Sequence, residues 1–169
     1  GEGYPFDRLQ ISSLWVGTPL RVLHHAANGW ALVASPTAYG WVKQNDIAEV
    51  DELFIKEWKS GHYITFVHNH VAMRDTHGRY RFDARLGSLF PVKNGKIMIP
   101  IANSNQHAEI VNGVVKAGSY ANFPLRFNAH NMVHLMNTLL GEPYGWGGLY
   151  GYRDCSQAMM DMFANVGLW

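Results

Sequence analysis

The residues best suited to covalent chemistry lie in one short stretch, PYGWGGLYGYRDCSQAMMDMF, residues 143–163. It contains the single cysteine of the chain, Cys155, between Asp154 and Ser156. A thiolate can attack a carbonyl carbon and form a covalent acyl-enzyme. A lone cysteine is more commonly a small buried apolar residue. Both interpretations of Cys155 stay open at this point.

An α-helix is predicted directly after Asp154, which is a good N-cap residue. Gly167 fits the position just beyond its end. Cys155 would then lie in the first turn, where free amides and the helix dipole favour a thiolate. The same amides could help to hold an oxyanion when the sulfur attacks a carbonyl. The apolar stripe of this helix repeats at i, i+3, i+4 and i+7 and consists of Met159, Met162, Phe163 and Val166.

A second amphipathic helix is predicted over residues 129–140, within FNAHNMVHLMNTLLGEP. Asn128 is a suitable N-cap and Gly141 a suitable stop. His130 and His134 share a face, but the glutamate of an H-E-x-x-H zinc motif is absent between them. We therefore interpret both histidines as surface or half-buried residues. The apolar stripe consists of Met132, Leu135, Met136, Leu139 and Leu140.

These helices need a framework, and the preceding part of the chain has the pattern of small β-barrels or sandwiches. Short β-prone runs alternate with turn signals about every eight to twelve residues up to about residue 117. We interpret Trp30 and Trp41 as core or surface packing residues without a ligand role, and Asn112-Gly113 as the turn of a hairpin. The runs are LRVLHHA (20–26), WALVAS (30–35), GWVKQNDIAEV (40–50), HYITFVHNHVAMRD (62–75), RYRFDARLGSLFPV (79–92), KIMIPIA (96–102) and HAEIVNGVVKAG (107–118).

The composition excludes several classes of function. A hydrophobic fraction of 47% with 16% charged residues describes a globular protein with a core. A formal net charge of +1 gives no indication of a nucleic-acid partner. One cysteine excludes an internal disulfide and a cysteine-built zinc site. The sequence contains no run of about 18 apolar residues, so no membrane span is predicted.

The segment Y-G-W-G-G (144–148), followed by R-D-C-S (153–156) and a helix, is similar to the NlpC-type family of papain-like cysteine peptidases. YPFDRLQISSLWVGTPLRVLHH, with GWVKQNDIA after it, resembles the first of two SH3b domains in family members. The resemblance implies a mostly β N-terminal part made of two SH3b-like small barrels. The helical N-terminal part of an α+β papain-like domain follows. We assign the first SH3b-like domain to residues 1–50, the second to 51–117 and the peptidase portion to 118–169.

This resemblance implies hydrolysis of the γ-D-glutamyl–diamino acid bond in cell-wall muropeptides with a free N-terminal L-Ala. Cys155 would attack the γ-carbonyl, and Asp154 would bind the α-ammonium. Ser156 and Tyr144 match family positions that line the same pocket. A tyrosine of the first SH3b domain would cap the pocket, for which Tyr39 is the candidate. No metal ion and no cofactor is implied.

Tyr4 is the other candidate for the capping tyrosine. The substrate implies peptidoglycan peptides as partners, without nucleic acid and without a membrane span. It also implies export to the periplasm or the cell surface. The opening residues, GEGYPFDRLQ, read like the interior of a longer precursor.

The sequence departs from the family in the position of its histidines. A papain-like peptidase needs a histidine base and a polar group that orients it. In the family both follow the cysteine, on strands of a sheet, whereas all nine histidines of this chain precede Cys155. We therefore expect this chain to be an N-terminal piece, inactive alone. Its partner would be the missing C-terminal part of its own catalytic domain.

Two other classes of function remain. The SH3b-like barrels could form a peptidoglycan-binding module without catalysis. Alternatively, His68 and His70 on one strand would project to the same face and could meet a metal ion. His62 or His77 would then supply a third ligand.

Overall fold

The structure is a computed structural model that describes residue 3, residues 6–7 and residues 9–169. Within these residues the chain forms ten β-strands and three α-helices. The strands are β1 (Arg21–His25), β2 (Trp30–Ala34), β3 (Tyr39–Lys43), β4 (His62–Phe66), β5 (Val71–Asp75), β6 (Tyr80–Ala84), β7 (Leu89–Lys93), β8 (Lys96–Ala102), β9 (Ala108–Val114) and β10 (Tyr120–Asn122). The helices are α1 (Glu52–Trp58), α2 (Ala129–Asn137) and α3 (Cys155–Ala164).

The first sheet is antiparallel, with the strand order β1-β2-β3. Alternation along β2 turns Ala31 and Val33 inward, where both are buried. The cross-strand pair Leu32–Trp41 therefore faces the other side of the sheet. Trp41 is 52% exposed there. Its ring packs at the surface against His24, and its lack of a ligand role stays a prediction.

The second sheet has seven strands in the order β10-β4-β7-β8-β9-β5-β6, and all its pairs are antiparallel. β10 lies beyond residue 117 and pairs with β4. Aromatic rings fill the interior, with Phe66 and Phe90 in edge-to-face contact at 5.7 Å between ring centroids. The buried core consists of Ile64, Phe66, Met73, Ala84, Phe90, Val92, Ile97 and Ile99.

The helix α1 connects the two sheets and was not predicted from the sequence. It begins at an Asp51 N-cap, whose carboxylate accepts a hydrogen bond from the amide of Phe54 at 2.7 Å. Trp58 packs against the core of the second sheet, at 6.3 Å from the ring of Phe90. The only sequence signal for this helix is the Asp51 cap, because a run of seven residues is too short to show a clear apolar period.

The helices α2 and α3 pack on the second sheet rather than standing apart from it. The cluster beneath them contains the buried residues Val67, Leu86, Leu135 and Met162. As predicted, Asn128 caps α2 and accepts from the Asn131 amide at 2.8 Å. No helix in the described part of the chain is both long and apolar enough to span a membrane.

One predicted turn is wrong. Asn112-Gly113 was interpreted as a hairpin turn, but both residues lie inside β9, which pairs with β8 and β5. A Cβ on Gly113 would lie 2.8 Å from Ile99 Cγ2 and 2.9 Å from Met73 Sδ. The glycine therefore serves close packing between three strands, not a reversal of the chain.

The predicted fold class is confirmed. The chain is mostly β over its first two thirds, with two sheets, and helical after β10. The predicted helix over 129–140 ends earlier as an α-helix, at Asn137, and continues as a turn through Gly141. The amide of Thr138 donates to the carbonyls of both His134 and Leu135, which tightens this last turn.

Candidate active site

Cys155 is the first residue of α3 and its side chain is exposed. The helix begins there because Asp154, in an extended conformation, accepts a hydrogen bond from the Gln157 amide at 2.8 Å. The sulfur therefore lies at the end of a helix where backbone amides are free of intrahelical partners. This placement allows an incoming carbonyl to reach both the thiol and amide donors.

The Asp154 carboxylate joins three segments around the helix start. Its Oδ1 accepts from the Gln157 amide and from Ser156 Oγ at 3.0 Å. Its Oδ2 accepts from the Gly147 amide at 3.1 Å. Burial acts to raise the pKa of Asp154, but the hydrogen bonds from Gln157, Ser156 and Gly147 outweigh it and lower the pKa below its ordinary value. The group is therefore an anion at neutral pH.

The loop before Asp154 places Gly147 by an unusual backbone path. Tyr144 and Arg153 form an isolated parallel bridge, and the Gly145 amide donates to the Arg153 carbonyl at 3.1 Å. Between them the chain makes a kinked 3-10 turn, with φ of 57° at Gly147 and 85° at Gly148. Left-handed backbone of this kind favours glycine. The G-W-G-G motif therefore allows the loop to fold back over the start of α3.

Tyr144 lies beside the cysteine and is partly exposed. Burial raises the pKa of its hydroxyl, and the charges of Cys155 and Asp154 add to the rise. The structure therefore brings together four predicted site residues, Tyr144, Asp154, Cys155 and Ser156. Their roles stay predictions.

The predicted capping tyrosine, Tyr39, begins β3 and is 73% exposed. A Cβ on its neighbour Gly40 would lie 3.9 Å from Ile11 Cδ1. The carbonyl carbon of Ile11 in turn lies 3.1 Å from the Cβ position of Gly147. The first sheet thus lies near the loop, but no hydrogen bond or ring contact of the described residues joins Tyr39 to the site. The other candidate, Tyr4, lies outside the described residues.

A buried polar network fixes α3 to the second sheet. Arg153 Nε donates to Asp161 Oδ2 at 2.6 Å, and its other nitrogens contact Glu142 at 3.3 Å and Asn69 at 3.2 Å. Asn69 also donates to Glu142. The guanidinium is buried and fully paired, as a buried charge requires. Arg153, directly before Asp154, therefore fixes the chain at the start of the helix.

Asp161 is the second centre of this network. Its carboxylate accepts from Arg153, from Gln157 Nε2 at 2.7 Å and from Trp15 Nε1 at 3.1 Å. Burial raises the pKa of Asp161, while the three donors act in the opposite direction. A Cβ on Gly87 would lie 2.4 Å from the Asp161 carbonyl oxygen, so the turn between β6 and β7 is in direct contact with the helix backbone.

No hydrogen bond or ion pair among the described residues joins a histidine to Cys155. His68 and His70 do not lie on a strand as predicted but in the bend between β4 and β5. His68 packs on the ring of His134 at 5.5 Å, whereas His70 contacts the Arg85 guanidinium at 2.9 Å. Burial and the Arg85 charge lower the pKa of His70.

The two imidazoles of this bend therefore have different partners, and the described structure does not bring them together as two ligands of one metal ion. Over the described ranges, no group of three or more His, Cys, Asp or Glu side chains is placed to hold a metal ion.

Exposed apolar side chains lie on α2, on the turn after it and on α3. The predicted stripes of both helices are split, because Leu135 and Met162 enter the core while other members face outward. Leu140 is 77% exposed. We call this surface the open helical face, and it consists of Val133, Met136, Leu140, Met159 and Met160.

Sequence reasoning missed a segment that lies against the loop. Residues 10–15, here called the strap, contact Gly147, Gly148 and α3. Gln10 and Gly147 are 137 residues apart, and a polar run such as Q-I-S-S gives no signal of a tertiary contact. Likewise, nothing in the sequence paired Asn69 with Arg153.

The sequence and the fold were compared with known proteins. Residues 1–43 match the family of the SH3 domain (SH3b1 type), and residues 51–94 match the SH3 domain of SH3b2 type. The whole chain superimposes on the structure of an NlpC/P60 endopeptidase from Photobacterium damselae subsp. piscicida, with 33% identity and a TM-score of 0.87. The chain spans 37% of that protein's length. No curated protein matches the sequence.

These matches confirm the predicted SH3b-type domains and the resemblance to NlpC-type peptidases. The exact boundaries, 1–50, 51–117 and 118–169, stay predictions.

The lowered pKa of Asp154 predicts a pH-dependent contribution to stability. Because folding favours the carboxylate, the contribution is complete above the ordinary value of 3.8 and is lost as pH falls through the lower pKa of the folded state. Urea unfolding of wild type and Asp154→Asn should therefore differ most near pH 7 and least near pH 3. Asp51→Asn is the matched control, because it also replaces a capping carboxylate, at the start of α1. A gap between wild type and Asp154→Asn that is unchanged at pH 3 would contradict the assignment.

Proposed function

We propose that this chain, which contains two SH3b-type domains and an NlpC-like segment, supplies the nucleophile of a cell-wall peptide hydrolase. The observation that carries the proposal is the exposed thiol of Cys155 at the first position of α3, beside an ionised Asp154. The proposed substrate is a muropeptide with a free N-terminal L-Ala. The bond cleaved is the γ-D-glutamyl–diamino acid bond. The peptidase portion is assigned to residues 118–169, after domains at 1–50 and 51–117.

The proposed reaction proceeds through an acyl-enzyme. Cys155 Sγ, as thiolate, attacks the γ-carbonyl carbon, and the C–N bond to the diamino acid breaks. The leaving amine takes up a proton from the base, and water then hydrolyses the thioester. The amides of Ser156 and Gln157 already donate to Asp154, so the proposed donor to the oxygen of the intermediate is an amide of the helix start that does not donate to this carboxylate.

Asp154 has the capacity to select a free N-terminus. Gln157, Ser156 and Gly147 together donate four hydrogen bonds to this carboxylate, two of them from the hydroxyl and the amide of Ser156. An α-ammonium group would pair with the carboxylate as an ion pair beside these donors. An ammonium–carboxylate hydrogen bond is about twice as strong as a neutral one. Ser156 orients the carboxylate, and Tyr144 lines the same pocket.

None of the described hydrogen bonds or ion pairs brings a histidine base to Cys155, so another part of the enzyme must supply it. We propose that a sheet of the same enzyme covers the open helical face and brings a histidine to Cys155. The side chains of the open helical face are apolar and exposed, of the kind that a sheet buries. The endopeptidase that this chain resembles is longer, since the chain spans only 37% of it. Because the substrate lies in the cell wall, we place the enzyme in the periplasm or at the cell surface.

A second candidate function is binding to peptidoglycan without catalysis. The open side of the first sheet favours it. Tyr39, Trp41 and Lys43 alternate outward along β3, and Trp30 is paired with Lys43 across the strands. His24 contacts the Trp41 ring at 6.2 Å. Exposed aromatic rings with an adjacent cation can bind a polymer surface.

The catalytic proposal predicts that Cys155→Ala in the complete enzyme lowers hydrolysis of L-Ala-γ-D-Glu-diaminopimelate by at least about 1,000-fold. The measurement is the release of the diamino acid, with thermal unfolding to confirm the fold. Because no histidine contacts Cys155, the 169-residue chain alone should show no hydrolysis. Activity that survives Cys155→Ala would refute Cys155 as the nucleophile, whereas activity of the 169-residue chain alone would refute the proposal that the base comes from outside it.

The binding alternative predicts that Trp41→Ala weakens co-sedimentation of the chain with purified cell walls by about tenfold, as loss of an aromatic contact of about 1.4 kcal/mol requires. Phe127→Ala removes another exposed ring, far from the first sheet in sequence, and should leave sedimentation unchanged. Cys155→Ala should bind like wild type. Equal sedimentation of the Trp41→Ala and Phe127→Ala variants would argue against this face as the binding surface.

A further inference from the structure

The strap crosses the loop that precedes the cysteine and binds both of its central glycines. Gln10 Nε2 donates to the Gly147 carbonyl at 3.1 Å. Ser13 Oγ donates to the Gly148 carbonyl at 2.8 Å. Two consecutive carbonyls of the kinked turn are therefore satisfied by a segment more than 130 residues away. Satisfied carbonyls hold such a turn in one conformation.

No space remains between the strap and the loop. A Cβ on Gly147 would lie 2.2 Å from the Gln10 carbonyl oxygen, and a Cβ on Gly148 would lie 1.9 Å from Ser13 Oγ. Both distances are far below van der Waals contact, so only glycine fits at either position. The two glycines therefore serve the approach of the strap as well as their left-handed backbone.

The other end of the strap is fixed to the helix that begins with the cysteine. Trp15 Nε1 donates to Asp161 Oδ2 at 3.1 Å. The guanidinium groups of Arg85 and Arg153 lie 5.2 Å and 5.4 Å from the centroid of the Trp15 ring. The strap thus connects the loop before Cys155 to the helix after it.

One hydrogen bond transmits this contact to the helix start. The Gly147 amide donates to Asp154 Oδ2, and Asp154 Oδ1 accepts from the Gln157 amide in the first turn. The carbonyl of Gly147, at the opposite side of the same residue, is held by Gln10. The strap therefore holds the carbonyl of the residue whose amide donates to the Asp154 carboxylate.

We propose that the strap is a positioning element for Cys155 and the ammonium site, with Gln10 and Ser13 as its positioning residues. They act through Gly147 and Asp154 and do not touch substrate. The catalytic consequence rests on the function proposed above, whereas the physical coupling from the strap to Asp154 does not. The coupling from the strap to Asp154 and the hydrolase function can therefore be tested separately.

The test uses the folded 169-residue chain and two NMR observables. The variants Ser13→Ala and Gln10→Ala each remove one donor to the loop. We expect exchange of the Gly147 amide to become about tenfold faster in each, as loss of about 1.4 kcal/mol of local stability gives. We also expect the pKa of Asp154 to move up toward its ordinary value, because the Gly147 donor becomes less well aligned.

Ser12→Ala is the matched control, since its hydroxyl makes no hydrogen bond to the described residues. It should leave both observables at their wild-type values. A general loss of stability would lower the melting temperature without moving the Asp154 titration of the folded chain. If both strap variants fold and leave the Gly147 exchange rate and the Asp154 titration unchanged, the proposal is overturned.

Kinetics of the complete enzyme separate this proposal from the function itself. Ser13→Ala should lower kcat/KM for the muropeptide, and Ser12→Ala should not. If Cys155→Ala leaves hydrolysis intact while the strap variants still move the Asp154 titration, the coupling stands and the proposed function fails. If Cys155→Ala abolishes hydrolysis and the strap variants change neither NMR observable, the function stands and the coupling fails.

Discussion

The carboxylate of Asp154 is the interaction on which this part of the molecule depends. One group caps α3, holds the Gly147 amide and accepts from Ser156, so it fixes the helix start, the loop and the side chain beside the thiol together. The same hydrogen bonds keep it ionised, because they lower its pKa against the effect of burial. A structural cap and a recognition group for a cation can therefore be the same carboxylate.

The start of α3 is held in place by residues that are distant from it in the sequence. Arg153 is buried among Asp161, Glu142 and Asn69, which lies in the bend between β4 and β5. Gly87, in the turn between β6 and β7, lies against the backbone of α3. The part of the chain that contains the SH3b-type domains therefore supplies side chains and close contacts that hold the helical segment. Such fully paired buried networks fix one arrangement, because each unpaired member would be costly.

Sequence reasoning succeeded where the signal was local. The caps Asn128 and Asp154, the strand runs of the first sheet and the G-W-G-G and D-C-S motifs were all readable from neighbouring residues. It failed where tertiary contact decided the outcome. Asn112-Gly113 has the composition of a turn but is held straight by β5 and β8, and α1 is too short to show a period. The strap and the Arg153 network pair residues too far apart for any local pattern to indicate.

The central claim is that the Cys155 thiol is accessible and reactive at the start of α3. Since the chain has one cysteine, the rate of alkylation by iodoacetamide, followed by intact mass, reports on this sulfur alone. The rate in the folded chain is compared with the rate in urea at the same pH. The account predicts that Cys155 in the folded chain reacts at least as fast as in the unfolded chain. Protection of the folded thiol by about tenfold or more would contradict it.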